Sequence, residues 1–212
     1  VLLEATVAVA AGSVALLADA GHNLSDVLGL LLAWGASALS RRLPTERHTY
    51  GLRRSTVLAA LLNALLLLVA IGAIAWEAVR RFRHPEVPEG WLVIWTALAG
   101  VVINTATALL FRRGQQRDLN VRGAFLHMAA DAAVSLGVAG AGVVILFTGR
   151  AWIDPAVSLV IVAVVFFGTW SLLRDSVYLA LDAVPRGTDL DGIRGYLSGL
   201  PGILDVHDLH VW

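Results

Sequence analysis

Long apolar runs alternate with short polar segments along the chain. The runs cover Val1–Ala11, Val14–Leu39, Thr56–Val79, Trp91–Phe111, Ala124–Phe147 and Ile153–Leu173. All but the first approach or exceed the roughly 20 residues a helix needs to cross a hydrocarbon core. The segments between them include RRLPTERHTYGLRR, RRFRHPEVPEG, RRGQQRDLN and FTGRAWID, whose Arg, Pro and Gly content reads as loop. The pattern predicts an all-α membrane protein, a six-transmembrane-helix bundle with its first helix truncated. Asp154, directly before Pro155, is placed to cap the last span.

After Arg174 the apolar surplus ends and Asp182, Asp189, Asp191, Asp205 and Asp208 follow. Residues 1–175 therefore read as a transmembrane domain and 176–212 as the beginning of an incomplete cytoplasmic domain. Thr188 with Asp191 resembles a capping box opening a short helix, Pro201-Gly202 ends it, and DVHDLHVW alternates as a strand does.

Composition sharpens this picture. Hydrophobic residues make up 58% of the chain, charged residues 15%, and mean hydropathy is +0.74, outside the range of ordinary soluble domains. A formal net charge of zero argues against nucleic-acid binding. The absence of Cys removes disulfides, thiolate metal sites and Cys nucleophiles. Arg41, Arg42, Arg47, Arg53, Arg54, Arg112, Arg113, Arg117, Arg122 and Arg174 fall on one side of the expected membrane, against Arg80, Arg81, Arg83 and Arg150 on the other. Short Arg-rich loops stay cytoplasmic, so the loop around His48 and the C-terminal end are expected there.

Against this apolar background, LLADAGHNLSD places His22 and Asp26 four residues apart, on one face of a helix and about 6 Å apart along its axis. The same spacing recurs at His127 and Asp131 in the fifth span. A lone intramembrane His can simply hydrogen-bond a carbonyl, but two such pairs supply the four ligands of a tetrahedral metal site. A charged side chain at mid-bilayer costs about 2.5–3.5 kcal/mol on insertion scales, which a bound cation offsets. Imidazole with carboxylate favours Zn²⁺, leaves Cd²⁺, Co²⁺, Ni²⁺ and Fe²⁺ open, and disfavours the oxygen-rich shells of Mg²⁺ and Ca²⁺. Because ligating His is neutral and Asp ionised, metal competes with protons at such a site, which suits metal/proton antiport. Two readings follow: a transporter with alternating access, or a membrane-embedded sensor or scaffold subunit that binds Zn²⁺ without moving it.

ADAGHNLSD in the second span, ERHTYGLRR in the next loop, LHMAADAAVSLG in the fifth span and WIDPAVSL opening the sixth resemble the cation diffusion facilitator family over nearly the whole chain. The HxxxD pair on both helices resembles its zinc-transporting members. The resemblance implies a homodimeric exporter of divalent cations in a bacterial inner membrane, exchanging metal for protons. It also implies a cytoplasmic α/β metallochaperone-like domain after the six spans, and a transport site of His22, Asp26, His127 and Asp131. His207 resembles a metal-binding position of the cytoplasmic domain, and His48 lies in a loop where members often hold a peripheral metal, although its Arg neighbours repel cations and favour a solvated His. Arg54 and Asp182 resemble a pair that joins the membrane and cytoplasmic domains.

Asp19, three residues before His22, is placed to orient its imidazole from behind. Asn63 and Asn104 read as hydrogen-bonders between spans, and Glu77 as a solvated residue at the outer end of the third. Ala129, Ala130, Ala132, Ala133, Ser135 and Gly137 make the fifth span small-sided for close approach.

Overall fold

The computed structural model describes residues 1–112, 119–185 and 187–211, without the side chains of 119 and 120. Arg113 and Arg117, used in the charge count, lie outside the described residues. The chain forms α1 (Leu2–Ala11), α2 (Val14–Ser40), α3 (Ser55–Arg83), α4 (Gly90–Phe111), α5 (Leu119–Thr148), α6 (Ile153–Ala180) and α7 (Leu190–Ser198), with no strand among the described residues. Four of these, α3 to α6, are long and apolar enough to cross a membrane. α2 has the length, at 27 residues, but Asp19, His22, Asn23, Ser25 and Asp26 interrupt its apolar surface.

Packing is inverted relative to a water-soluble bundle. Small side chains such as Ala8, Ala11, Ala15, Ala18, Ala97 and Ala139 fill the centre around Leu16, Val93 and Val138. Large ones, including Leu30, Trp34, Val69, Trp76, Leu110 and Phe167, face outward, as expected where lipid rather than water surrounds the helices. Small residues let backbones approach, and Gly142 on α5 illustrates the limit. A Cβ there would lie 3.0 Å from Ile94 and 3.2 Å from Val93 on α4. On α5 the buried stripe is Asp131, Ser135, Val138 and Ile145, at helical spacing. Ala130, Ala133 and Gly137 point outward instead, so the expected small-sided contact covers only part of the small residues.

α2 is the hub, contacting α1, α3, α5 and α6. Its entry is fixed by Gly12, whose φ of 65° closes α1 in a left-handed turn that a side chain would strain. Ser13 then caps α2, its hydroxyl accepting from Leu16 N–H and donating to Asp154 at 2.5 Å. Asp154 also accepts from the backbone N–H of Val14 at 2.7 Å. The sequence expectation that Asp154 caps its own helix is thus corrected. α6 begins with Trp152 at its cap position, and the carboxylate reaches across to the orphan donors and positive dipole end of α2.

Three further local expectations differ. Asp189, not Thr188, caps α7, accepting from Gly192 N–H at 2.9 Å. DVHDLHVW forms no strand over its described residues, since alternation supplies a face but no neighbouring strand to bond. Glu77 is not merely solvated. It accepts from Arg80 at 2.8 and 2.7 Å and from Arg81 at 3.1 Å, and Arg81 in turn donates to the carbonyl of Gly12 at 2.8 Å. This network ties the end of α3 to the turn between α1 and α2.

A candidate metal centre between two helices

α2 and α5 bring the two His-x-x-x-Asp pairs together in a closed ring. Across the helices, His22 Nε2 lies 3.3 Å from Asp131 Oδ1, and His127 Nε2 lies 3.1 Å from Asp26 Oδ2. Along each helix, His22 to Asp26 and His127 to Asp131 are both 3.7 Å. The two imidazoles stand edge to face with centroids 6.0 Å apart. Ligand atoms of His22, Asp26 and Asp131 fall within 4.8 Å of one another, while His127 stands outside that group and contacts its two carboxylates, Asp26 Oδ2 at 3.1 Å and Asp131 Oδ2 at 3.7 Å. A tetrahedral zinc with bonds of about 2.0–2.1 Å has ligand–ligand edges of about 3.3–3.4 Å, so these spacings bracket what the ion requires.

Exposure is graded across the ring. The side chain of Asp131 is 4% exposed and that of His22 17%, against 31% for Asp26 and 46% for His127. Asp26 follows His22 on α2 and His127 precedes Asp131 on α5, so both open groups lie toward the end of the bundle that carries the Arg-rich loops. His22 shares a small apolar cavity with Ala18, Gly21, Leu67, Ile71, Ile74 and Val165. The more exposed pair of the ring thus faces the Arg-rich end, and an apolar pocket borders His22 on its α3 and α6 side. His22 Nδ1 and Asp131 Oδ2 are buried without a hydrogen-bond partner, which is costly for a polar atom in a dry site.

Other sequence-selected residues lie elsewhere. Asp19 is fully buried, but it accepts from Ser135 Oγ at 2.8 Å rather than bonding the His22 ring. Ser135 and Glu4 take part in this buried polar arrangement, and sequence reasoning singled out neither for chemistry. Asn63 packs against α2, its amide atoms 2.9–3.2 Å from where a Cβ on Gly29 would stand. His48 is exposed in a tight turn with Thr45, and His207 is exposed beside Asp208 at 3.4 Å. Neither His joins the ring.

Arg54 and Asp182 do meet. One guanidinium nitrogen sits 2.6 and 2.7 Å from the two carboxylate oxygens, joining the start of α3 to the residues just after α6. Asp182 has a φ of 54°, a left-handed conformation that Asp tolerates better than most residues. A cavity of about 1020 Å³ borders this pair, with Tyr50, Arg53, Leu58 and His210 in its wall.

Comparison with known proteins agrees with this architecture. The family profile described as the cation efflux transmembrane domain matches residues 1–179. The chain is 40% identical over its whole length to the zinc transporter ZitB of Escherichia coli K12, covering 68% of that protein. It is 36% identical over 94% of its length to the metal cation efflux system protein CzcD of Cupriavidus metallidurans, covering 63% of it. It is also 32% identical over its whole length to a cadmium, cobalt and zinc/H(+)-K(+) antiporter of Bacillus subtilis, covering 68% of that relative. The chain thus spans about two thirds of the length of these relatives. With a matched domain over most of its residues, the chain belongs to the cation efflux family, the cation diffusion facilitators that its motifs resemble.

Proposed function

We propose that this chain forms the membrane part of a bacterial inner-membrane exporter of divalent cations, with Zn²⁺ the leading substrate. His22, Asp26, His127 and Asp131 hold the ion, and protons replace it in the return step. The observation that carries this reading is the closed ring of two imidazoles and two carboxylates with spacings of 3.1–3.7 Å. Relatives named for zinc, and for cadmium, cobalt and zinc with protons and potassium, support both the substrate class and the exchange. Cd²⁺ and Co²⁺ accept the same ligands, as do Ni²⁺ and Fe²⁺.

The geometry is that of a loading state. Asp26 and His127 face the end with the Arg-rich loops, which the positive-inside rule assigns to the cytoplasm, and apolar side chains of α3 and α6 pack beside His22. An ion arriving from the cytoplasm meets the exposed pair first and then the buried pair. Release needs the apolar wall around His22 to part. Two carboxylates moderate the grip, since an ion held as tightly as structural zinc, about 10–16 kcal/mol, would leave too slowly. In this reading all of α1 to α6 span the bilayer, 1–175 is the transport domain and 176–212 opens a cytoplasmic domain. The exporter works as a homodimer with its C-terminal end in the cytoplasm.

The test is Zn²⁺ uptake into inverted membrane vesicles. His22→Ala and Asp131→Ala are expected to insert normally and abolish uptake, and intact uptake by either variant contradicts the proposal. A sensor that binds without transporting would show Zn²⁺ binding with no flux in the parent chain.

A further inference from the structure

A second polar cluster lies one helical turn from the ring, and transport at the ring does not explain it. Asp19 is three residues before His22 on α2, and Ser135 is four after Asp131 on α5, so both sit about 4.5–6 Å further from the Arg-rich end. Glu4 on α1 faces Asp19, and its Oε2 accepts from Asn23 Nδ2 at 3.4 Å. Asp19 Oδ2 accepts from Ser135 Oγ at 2.8 Å. Each carboxyl group thus has one neutral donor on one oxygen. The other oxygens, Glu4 Oε1 and Asp19 Oδ1, are buried with no donor from elsewhere in the protein, and the two carboxyl groups lie within hydrogen-bonding reach of one another. α4 leaves room for the cluster at Gly100, where a Cβ would come within 3.1 Å of Ser135 Oγ and 3.9 Å of Glu4 Oε1.

Asp19 is fully buried, and two facing carboxylates with unsatisfied oxygens cannot both stay ionised in a dry bundle without a positive charge between them. The other charged groups acting on the pair are His22 and Asp131 beside it. The carboxyl oxygens here, unlike the imidazole ring, suit a hard cation.

We propose that Glu4 and Asp19, with Asn23 and Ser135, form a second cation station that holds one monovalent cation, a proton or an alkali ion, between their carboxyl oxygens. It rests on the transport reading for its role as the seat of the counter-cation. Metal at the ring and charge at the station repel one another across one helical turn, so filling one favours emptying the other.

Infrared difference spectra test the station in the full chain without any transport. A carboxyl band that responds to pH or to added K⁺ and disappears in Glu4→Gln is expected, and its absence overturns the proposal whatever the flux. In proteoliposomes, one arm applies a pH gradient with choline on both sides and the other a K⁺ gradient at equal pH, which separates proton from alkali ion. Glu4→Gln and Asp19→Asn, both isosteric, are expected to bind Zn²⁺ within about two-fold of the parent while losing about ten-fold of the stimulation by one gradient. Unchanged stimulation in both variants contradicts the proposal, as does loss of Zn²⁺ binding in folded protein. A parent chain with no Zn²⁺ flux defeats the transport reading alone, because the infrared result still decides the station.

Discussion

At His22, Asp26, His127 and Asp131 the sequence was legible because the information is periodic. A spacing of four on a helix fixes a shared face, and its repetition on a second apolar helix marks the partner. The partners of Asp154 and Arg81 were not legible in this way, since Ser13 and Val14 for the one and the Gly12 carbonyl for the other become neighbours only when α6 and α3 pack against the α1–α2 turn. The same holds for Glu4, which nothing in its local sequence connects with Asp19 or Asn23. In the proposed transport site, metal and protons would compete for the same atoms. Zn²⁺ affinity measured by titration calorimetry is expected to fall steadily as pH is lowered across the range of about 8 to 5 in which imidazole takes up its proton. Affinity independent of pH in that range would mean that imidazole does not ligate the ion. His127→Ala, which removes the most exposed group of the ring, is expected to weaken binding more gently than Asp131→Ala, which empties its buried side.

Helix positions follow the apolar runs closely, because hydrocarbon on most sides leaves the backbone no alternative to internal hydrogen bonds. Ends and faces follow them less well. Alternation in DVHDLHVW indicated a strand, yet a strand exists only with a partner to bond, and none is present among the described residues. The entry of α2 depends on a carboxylate from another helix. Asp154→Ala is therefore expected to leave the donors of Ser13 and Val14 unsatisfied and to cost about 1–3 kcal/mol of stability in a thermal or denaturant melt. A variant as stable as the parent would show that water replaces the cap. Gly29→Val is expected to push α3 from α2, since Asn63 occupies the space a side chain would take. The expected readout is a lower melting temperature together with weaker Zn²⁺ binding at the neighbouring Asp26.

Across the whole molecule, most of the described charged residues lie at helix ends, in loops or in the C-terminal segment, while Asp19, Asp131 and Asp154 are buried within the bundle. The Arg54–Asp182 pair links the start of α3 to the end of α6 and invites a structural reading, yet both partners are exposed, at 66% and 43%. Exposed pairs contribute under about 1 kcal/mol, so Arg54→Ala is expected to leave the melt nearly unchanged and to alter transport only if this joint moves in the cycle. Flux measured beside the melt separates the two. Transport at the proposed site requires α2 and α5 to present four side chains to one ion. Zinc-edge X-ray absorption of the metal-loaded chain in lipid tests that most directly. The expected spectrum shows two imidazole nitrogens and two oxygens at about 2.0–2.1 Å, with one imidazole lost in His127→Ala. An all-oxygen shell of six ligands, or a shell unchanged by that substitution, would contradict it.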